Sequence, residues 1–340
     1  MMTFLLSGLG VIYQVLFRAI GANRIYSVVC IFLASALFAT NRQNPDWLNY
    51  VAIFEQPELY AEVGYVLLVK LLKLLGLGHE GVVLVLAILV CLTFFRYLDY
   101  SSCISGAILL YLIYPMAIDI TQIRNTFGLF FILNMLIEIE RRNFVLALLC
   151  LAVAASFHYF FLSYLLLFLL IVTRGARYWS VAIVLSTSIA LVLAPYVLSF
   201  VISIGVLRNI EAYLSQDIKY HSLLIWGAVL IADILCFGTI RQYFMTPRLF
   251  SEKLSDILFS TMVSGIPFLV GLLYVDDFHR FFRSLFLIKY LLASIMWPAI
   301  SIQGRVLITL YLVLSVAVFG SYFNLQLGFD SILFPPWLAN

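Results

Sequence analysis

Residues 104–139 read ISGAILLYLIYPMAIDITQIRNTFGLFFILNMLIEI, and this stretch decides the fold class. It holds two apolar runs, 104–118 and 123–139, which a short polar segment separates. A helix needs about 20 apolar residues to cross the roughly 30 Å of hydrocarbon in a bilayer. The two runs approach that length. Apolar and polar residues do not alternate along them, as they would in the strands of a membrane barrel. The stretch therefore predicts two consecutive membrane-spanning helices.

The same pattern extends along the whole chain of 340 residues, which is 64% hydrophobic and only 11% charged. The mean hydropathy is +1.08, and a soluble domain of this length could not bury so much apolar surface. We therefore predict an all-α, polytopic membrane protein with about 12 helices in a single transmembrane domain, residues 1–340. The predicted spans lie near 3–20, 25–40, 81–97, 104–118, 123–139, 144–156, 159–173, 178–205, 222–240, 257–275, 281–299 and 306–323.

Segment 62–76 differs from these runs because it is short and amphipathic, with Lys70 and Lys73 one turn apart. We predict an interfacial helix that lies on the outer surface, with both lysines at headgroups or at a diphosphate. The predicted loops on one side carry eleven cations and five acids, whereas those on the other carry eight cations and eleven acids. The first side is therefore predicted to be cytoplasmic. The longer loops, 41–80 and 206–221, fall on the opposite side together with 276–280, so we expect the chemistry there.

Arg124 is the first candidate for that chemistry, since it stands where a predicted span begins on the outer side. Gln122 and Asn125 flank it, and Asp119 lies shortly before them. A guanidinium group suits phosphate because its donors are bidentate and its charge is permanent. The start of a helix also favours an anion. The alternative is an arginine that only extends its side chain to the lipid headgroups.

Two further groups also point to the outer side. His158 interrupts an apolar run that is too long for one straight span, and it could bind a sugar or phosphate or act as a base. A packed core histidine is the plain alternative. Arg280 and Arg283 share one helix face, and Arg283 lies inside the next predicted span, where burial is costly without a partner or a polar cavity. A solvated, charge-balanced loop is the alternative for this pair.

Sugar-binding groups are candidates in the first outer loop, which offers carboxylates, tyrosines and a tryptophan: Asp46, Tyr50, Glu58 and Glu62. Aromatic residues at a membrane interface give the same composition. Asp233 and Lys289 lie inside predicted spans, where they either pair or form the relay of a transporter. The histidines are far apart and form no metal-ligand motif, so neither a metal nor another cofactor is predicted.

Four of these features occur in an order that resembles a known family. Asp46 and Tyr50 come first, then Glu62-Val63-Gly64-Tyr65, then Gln122-Ile123-Arg124, and finally Phe157-His158. This order is similar to that of the EpsG-like branch of Wzy-type polysaccharide polymerases. The chain departs from the family pattern at Tyr159-Phe160, where Lys-Ser is common, and at Asn125, where Gln or Arg is common.

The resemblance implies a bacterial inner-membrane glycosyltransferase with a GT-C-like bundle that works without a metal. Such enzymes join oligosaccharide units carried on undecaprenyl diphosphate at the periplasmic face. Membrane lipid, a chain-length regulator and a flippase are further expected partners, and nucleic acid is not. The residues expected to be catalytic are Arg124, His158, Arg280 and Arg283. The residues expected to bind substrate are Gln122, Asp119, Asn125, Asp46, Tyr50, Glu62 and Tyr65.

Three other functions stay open at this stage. A flippase for lipid-linked oligosaccharides, or another secondary transporter, would carry charges deep in many spans, and this chain has only Asp233 and Lys289 there. A membrane acyltransferase would use His158 with a nearby acid. An O-antigen ligase shares the polymerase chemistry, but ligases usually have a large outer loop late in the chain, and the longest one here comes early.

Overall fold

A computed structural model describes residues 20–42, 45–60, 62–101, 103–165, 168–169, 189, 220–245, 252–273 and 279–327. Within these ranges every regular element is helical and there is no strand. The α-helices are α1 (Ile20–Thr40), α2 (Trp47–Glu55), α3 (Pro57–Tyr60), α4 (Val63–Leu74), α5 (His79–Leu98), α6 (Ile104–Ile113), α7 (Met116–Thr121), α8 (Ile123–Glu140), α9 (Phe144–Phe157), α10 (Tyr220–Tyr243), α11 (Glu252–Val263), α12 (His279–Met296) and α13 (Ile302–Leu327). Three 3₁₀ segments, Tyr159–Ser163, Ile266–Leu273 and Trp297–Ala299, follow α9, α11 and α12.

Five helical segments in the described part of the chain are long and apolar enough to cross a membrane: His79–Leu98, Ser222–Tyr243, Lys253–Leu273, His279–Ala299 and Ile302–Phe319. Shorter apolar helices are Arg24–Thr40, Ile104–Ile113 and Phe144–Phe157. The prediction of an all-helical membrane protein is therefore confirmed. The count of about 12 spans stays a prediction, because the predicted spans 3–20 and 178–205 lie almost wholly outside the described residues.

Two predicted spans are broken where the sequence pattern suggested a continuous helix. The predicted span 104–118 ends as a helix at Ile113, and a new short helix begins at Met116. Pro115 causes the break, since proline has no N–H to donate and disfavours helical geometry in the residue before it. The predicted span 257–275 changes from α-helix to 3₁₀ helix around Gly265. Glycine is a poor residue for a helix interior because it loses the most backbone freedom on ordering.

Helices α8 and α12 form the centre of the bundle. Every side chain of α12 from Phe281 to Met296 is buried, and nearly all of α8 is buried as well. Helices α1, α5, α9 and α13 each keep one buried face and present large apolar side chains to the outside. Lipid is the medium that makes such exposed faces favourable, so the outer helices shield the two central ones. Both central helices carry arginines near their first residues.

Three short helices, α2, α3 and α4, lie between α1 and α5. Helix α4 has 12 residues and is therefore about 18 Å long, too short to cross roughly 30 Å of hydrocarbon. Its buried side packs so closely against α9 that a side chain at Gly64 would collide with Ser156. The ammonium group of Lys70 pairs with Glu58 at 3.0 Å, and Lys73 donates to the Glu55 carbonyl at 3.0 Å. Lys70 therefore contacts α3 and Lys73 contacts α2. The placement of both lysines at headgroups or a diphosphate stays a prediction.

Candidate arginine site

The first turns of α8 and α12 meet through Arg283, whose side chain is 2% exposed. Its Nη2 donates to Oε1 of Gln122 at 2.6 Å, and its Nε lies 3.3 Å from Oδ1 of Asp119. Gln122 directly precedes α8, so one guanidinium group joins two helix starts whose residues are 161 positions apart in the chain. A helix start presents unpaired N–H groups and a positive dipole end. Two such starts with arginines at the same place favour the binding of an anion.

Asp119 holds Arg283 in place. Its carboxylate accepts a hydrogen bond from the Tyr111 hydroxyl at 2.9 Å through Oδ2, while Oδ1 faces Arg283. Its backbone carbonyl accepts a second bond from the Thr126 hydroxyl at 2.5 Å. The break at Pro115 creates the short helix α7 that carries Asp119 to this position. Asp119 was predicted to bind substrate, but here both of its carboxylate oxygens bind protein groups.

A second and more accessible ion pair lies beside the first. Arg124 donates through Nη1 to Oε2 of Glu62, the residue that begins α4. The Arg124 and Glu62 side chains are 24% and 13% exposed, several times more than Arg283 and Asp119. Burial raises the pKa of the neighbouring Tyr50 hydroxyl, and the positive charge of Arg124 opposes that rise. This pair therefore joins α8 to the outer helices α2 and α4.

His158 lies where α9 ends, close to all three arginines. Burial, followed by the positive charges of Arg280, Arg124 and Arg283, lowers the pKa of His158 to about 3. Its Nδ1 accepts a hydrogen bond from the Phe160 N–H at 3.3 Å, which assigns the proton of the neutral ring to Nε2. At neutral pH the ring is therefore an uncharged hydrogen-bond donor, and its acceptor nitrogen is already engaged.

Local packing explains why His158 stands between the two central helices. The Phe161 ring fills the space left by the missing side chain of Gly128 in α8. The Tyr164 hydroxyl bonds to the Ser284 hydroxyl of α12 at 2.8 Å. The 3₁₀ segment after His158 is thus attached to both α8 and α12, so the imidazole is fixed relative to both sets of arginines. We call the group Arg124, Arg280, Arg283, His158, Gln122, Asp119 and Glu62 the arginine site.

Comparison with known proteins adds one result to this geometry. The family model described as EpsG family matches residues 25–333, which is most of the chain. The chain belongs to the EpsG family. This membership suggests a function like that of a polysaccharide polymerase, and with the apolar helices it supports a multi-pass membrane protein. No curated protein and no solved structure matched the chain.

The other predicted residues of this EpsG family member lie around the outer helices. Asn125 is buried in the first turn of α8. Asp46 directly precedes α2, and its negative charge helps to raise the pKa of Tyr50. The Tyr65 ring lies 6.1 Å from the Tyr50 ring. The structure thus groups Asp46, Tyr50 and Tyr65 next to Glu62 and also next to Arg124, which is far from them in the sequence.

Sequence reasoning identified Tyr50 but missed the side chains packed around it. Trp47, Tyr50 and Phe54 lie on one face of α2 and surround the buried ring of His79, with ring centroids 4.6, 6.2 and 6.1 Å away. Their spacing of three and four residues is a helical signal that could have revealed this face. Tyr111 gave no such signal, because its partner Asp119 is close only as a result of the break at Pro115.

A separate buried ion pair lies deeper in α12. Lys289 Nζ is 3.0 Å from Oδ1 of Asp233 in α10 and donates to the Ser315 hydroxyl of α13 at 2.9 Å. The Tyr311 hydroxyl donates to the same Asp233 oxygen at 2.6 Å. The pairing of Asp233 with Lys289, one of the two interpretations left open by the sequence, is confirmed.

Proposed function

We propose that this EpsG family member polymerises oligosaccharide repeat units carried on a polyprenyl diphosphate, undecaprenyl diphosphate in bacteria. The observation that carries the proposal is the arginine site, where the positive charges of three arginines at the starts of two central helices act on His158. Guanidinium forks and helix starts both bind phosphate oxygens well. A diphosphate leaving group is the anion that such a site fits. The family match independently supports polymer synthesis.

In the proposed reaction, a hydroxyl of the acceptor sugar attacks C1 of the donor sugar. The new C1–O bond forms while the bond from C1 to the diphosphate oxygen breaks, and the hydroxyl proton passes to a base. Negative charge develops on the diphosphate as it leaves. Arg124, Arg280 and Arg283 would stabilise that charge in a region sheltered from water, where fixed cations act most strongly.

Glu62 is the base that the geometry supports best. His158 is unsuited because its ring is neutral with Nδ1 already engaged, and the carboxylate oxygens of Asp119 bind Tyr111 and Arg283. The Glu62 side chain is more exposed than that of Asp119. Among the described ion pairs, Glu62 occurs only in the one with Arg124. A diphosphate that binds Arg124 would free the Glu62 carboxylate to accept the proton of the acceptor hydroxyl. His158 would then donate through Nε2 to a sugar or phosphate oxygen.

The proposed location is the bacterial inner membrane, with the arginine site at the periplasmic face. The support is the excess of positive charge in the predicted loops at the other end of the bundle. A GT-C-like bundle, metal-independent chemistry, and cooperation with a flippase and a chain-length regulator belong to the same proposal. The flippase would supply lipid-linked units to this face.

The test is polymer synthesis in a deletion strain complemented with single variants. Arg124→Ala and Arg283→Ala should each reduce polymer by about 10²–10³-fold, because each removes a donor to developing charge. Arg24→Ala is the matched control, since this exposed arginine lies in α1 and pairs only at 4.0 Å with the exposed Asp99. Membrane levels of each variant are measured by immunoblot. Normal polymer ladders from both site variants would overturn the assignment of these arginines to the reaction.

A further inference from the structure

An open cleft lies between α6, α12 and α13, away from the arginine site. It is lined by the first half of α6, the last turns of α12 and the first turns of α13. These parts lie toward the end of α12 opposite Arg280 and Arg283. The proposed polymerase reaction gives this cleft no role.

The walls of the cleft are mainly apolar and belong to helices that face lipid. Leu110, Ala293, Leu312 and Val313 are among the lining residues. Val313 is 49% exposed, and its neighbours Leu310 and Leu314 on α13 are 65% and 63% exposed. The cleft therefore opens on the flank of α13. Because α12 and α13 both contain segments long enough to cross the membrane, the medium at this opening is the hydrocarbon of the bilayer.

A cation stands at one end of the cleft. Arg305 lies one turn before the lining residue Thr309 on the same face of α13. Its guanidinium carbon lies 5.7 Å from the ring of Trp297, which also lines the cleft. In the part of the chain that the structure describes, no ion pair includes Arg305, and the one described hydrogen bond of its side chain is a long one of 3.5 Å to the Pro298 carbonyl. An arginine stacked on a tryptophan at a helix end is typical of the level of the lipid headgroups.

We propose that the cleft binds one chain of an anionic phospholipid from the surrounding membrane, with the phosphate held at Arg305. An apolar cleft that opens to hydrocarbon and ends at a cation matches the two ends of such a lipid. The net negative charge of the headgroup selects it over a zwitterionic lipid, whose own ammonium group already compensates its phosphate. The site is independent of the proposed polymerase reaction, since it lies at the other end of α12.

Tryptophan fluorescence provides the test, because bromine atoms on a lipid chain quench a ring that they contact. The full-length protein is placed in vesicles of phosphatidylcholine with increasing phosphatidylglycerol, and either one or the other lipid carries brominated chains. The contribution of Trp297 is the difference between the natural protein and Trp297→Phe. We expect brominated phosphatidylglycerol to quench Trp297 at about fivefold lower mole fraction than brominated phosphatidylcholine, the preference given by one cation near an anionic headgroup.

Three variants separate a specific site from ordinary contact with lipid. Arg305→Gln should abolish the preference, Arg305→Lys should keep part of it, and the matched control Arg24→Gln should keep all of it. Ala107→Leu, which fills the cleft, should reduce quenching by both lipids.

Two results would overturn the proposal: equal quenching by the two lipids in the natural protein, or a preference that survives Arg305→Gln. If Arg305→Gln does not fold, an undiminished preference in Arg305→Lys would overturn it instead, because a phosphate held by the guanidinium group should lose part of its binding there. The assay measures no polymer, so its outcome is separate from that of the polymerase proposal.

Discussion

Helix α12 carries two buried ion pairs, Arg283–Asp119 near its start and Lys289–Asp233 in its middle, and the two are built differently. Lys289 is enclosed by Asp233, Ser315 and the Phe286 ring, and every one of these contacts ends within the bundle. Arg283 is just as buried, but its contacts continue through Gln122 to the start of α8, where the Arg124–Glu62 pair is partly accessible. One buried ion pair is thus enclosed within the core of the bundle, whereas the other is connected to an accessible site.

The difference teaches how to interpret a charge inside a membrane protein. Burial alone does not separate the two pairs, since the exposed fraction of Arg283 is 2% and that of Lys289 is 0%. What separates them is whether the network reaches groups that a ligand could contact.

Glu62→Gln tests the accessible end of the network. If Glu62 is the base, loss of its carboxylate should lower the polymer-forming rate by about 10²–10⁴-fold, the usual contribution of general base catalysis. The measurement is the initial rate of polymer formation in isolated membranes with a lipid-linked repeat unit. Glu58→Gln is the matched control, because Glu58 precedes the same helix and pairs with Lys70 instead. Equal rates for both variants would remove Glu62 from the mechanism.

Lys289→Met tests the enclosed pair. Removal of one partner leaves the charge of Asp233 buried without its cation, which should lower the free energy of unfolding by about 3–5 kcal/mol. The double variant Lys289→Met with Asp233→Leu should recover most of the stability, because no unpaired charge remains. Thermal unfolding in detergent measures both. A double variant as unstable as the single one would show that the pair has a role beyond neutralisation.

Arg283→Lys tests whether the site pair needs a fork of donors. Lysine keeps the charge but cannot contact Gln122 and Asp119 with two fixed donors. We expect about a 10²-fold loss of polymerisation, at the lower end of the range for one lost donor, with normal protein levels. Arg241→Lys, in the last turn of α10, is the control for the loss of an arginine elsewhere. Full activity in Arg283→Lys would mean that charge alone is required at this position.

The stability contribution of His158 depends on pH, and its effect is small for any single pH unit. Its pKa in the folded protein is about 3, below the ordinary value of 6.5, so the folded state favours the neutral ring. Its contribution to stability is therefore complete above pH 6.5 and is lost as the pH falls from 6.5 toward 3, by at most about 1.4 kcal/mol for each pH unit. His158→Gln should flatten this dependence in thermal unfolding measured from pH 4 to pH 8. An unchanged slope in the variant would assign the acid sensitivity to other groups.

The sequence predicted the parts of the structure that lipid imposes. Apolar runs have to form helices, and the two intramembrane charges Asp233 and Lys289 have to find partners, so both could be expected without coordinates. The helix break at His158 follows from the same reasoning about length. Arg124 and Arg283 were both expected to be catalytic, but Gln122 and Asp119 could not be identified as the direct partners of Arg283. That contact spans 161 positions and depends on the tertiary arrangement that brings the start of α12 to the start of α8.

Other features depend on local events that the apolar pattern conceals. Pro115 lies inside the predicted span 104–118, and its break turns Asp119 toward Tyr111 and Arg283. A stricter treatment of proline would have shortened that span, but it would not have identified Tyr111. Lys70 and Lys73 look like ligands for headgroups on a helical projection, yet they bind Glu58 and the Glu55 carbonyl because α2 and α3 fold back over α4.

Gly128 has a consequence for how this chain can vary over evolution. Because the Phe161 ring occupies the place of its side chain, even alanine at 128 would displace the 3₁₀ segment that holds His158. The two positions can therefore change only together, with a smaller residue at 161 compensating for a larger one at 128. Relatives that keep an arginine site of this shape should show glycine at the first position paired with a large aromatic residue at the second. A lineage that loses either one would have to rebuild the approach of the imidazole to its arginines.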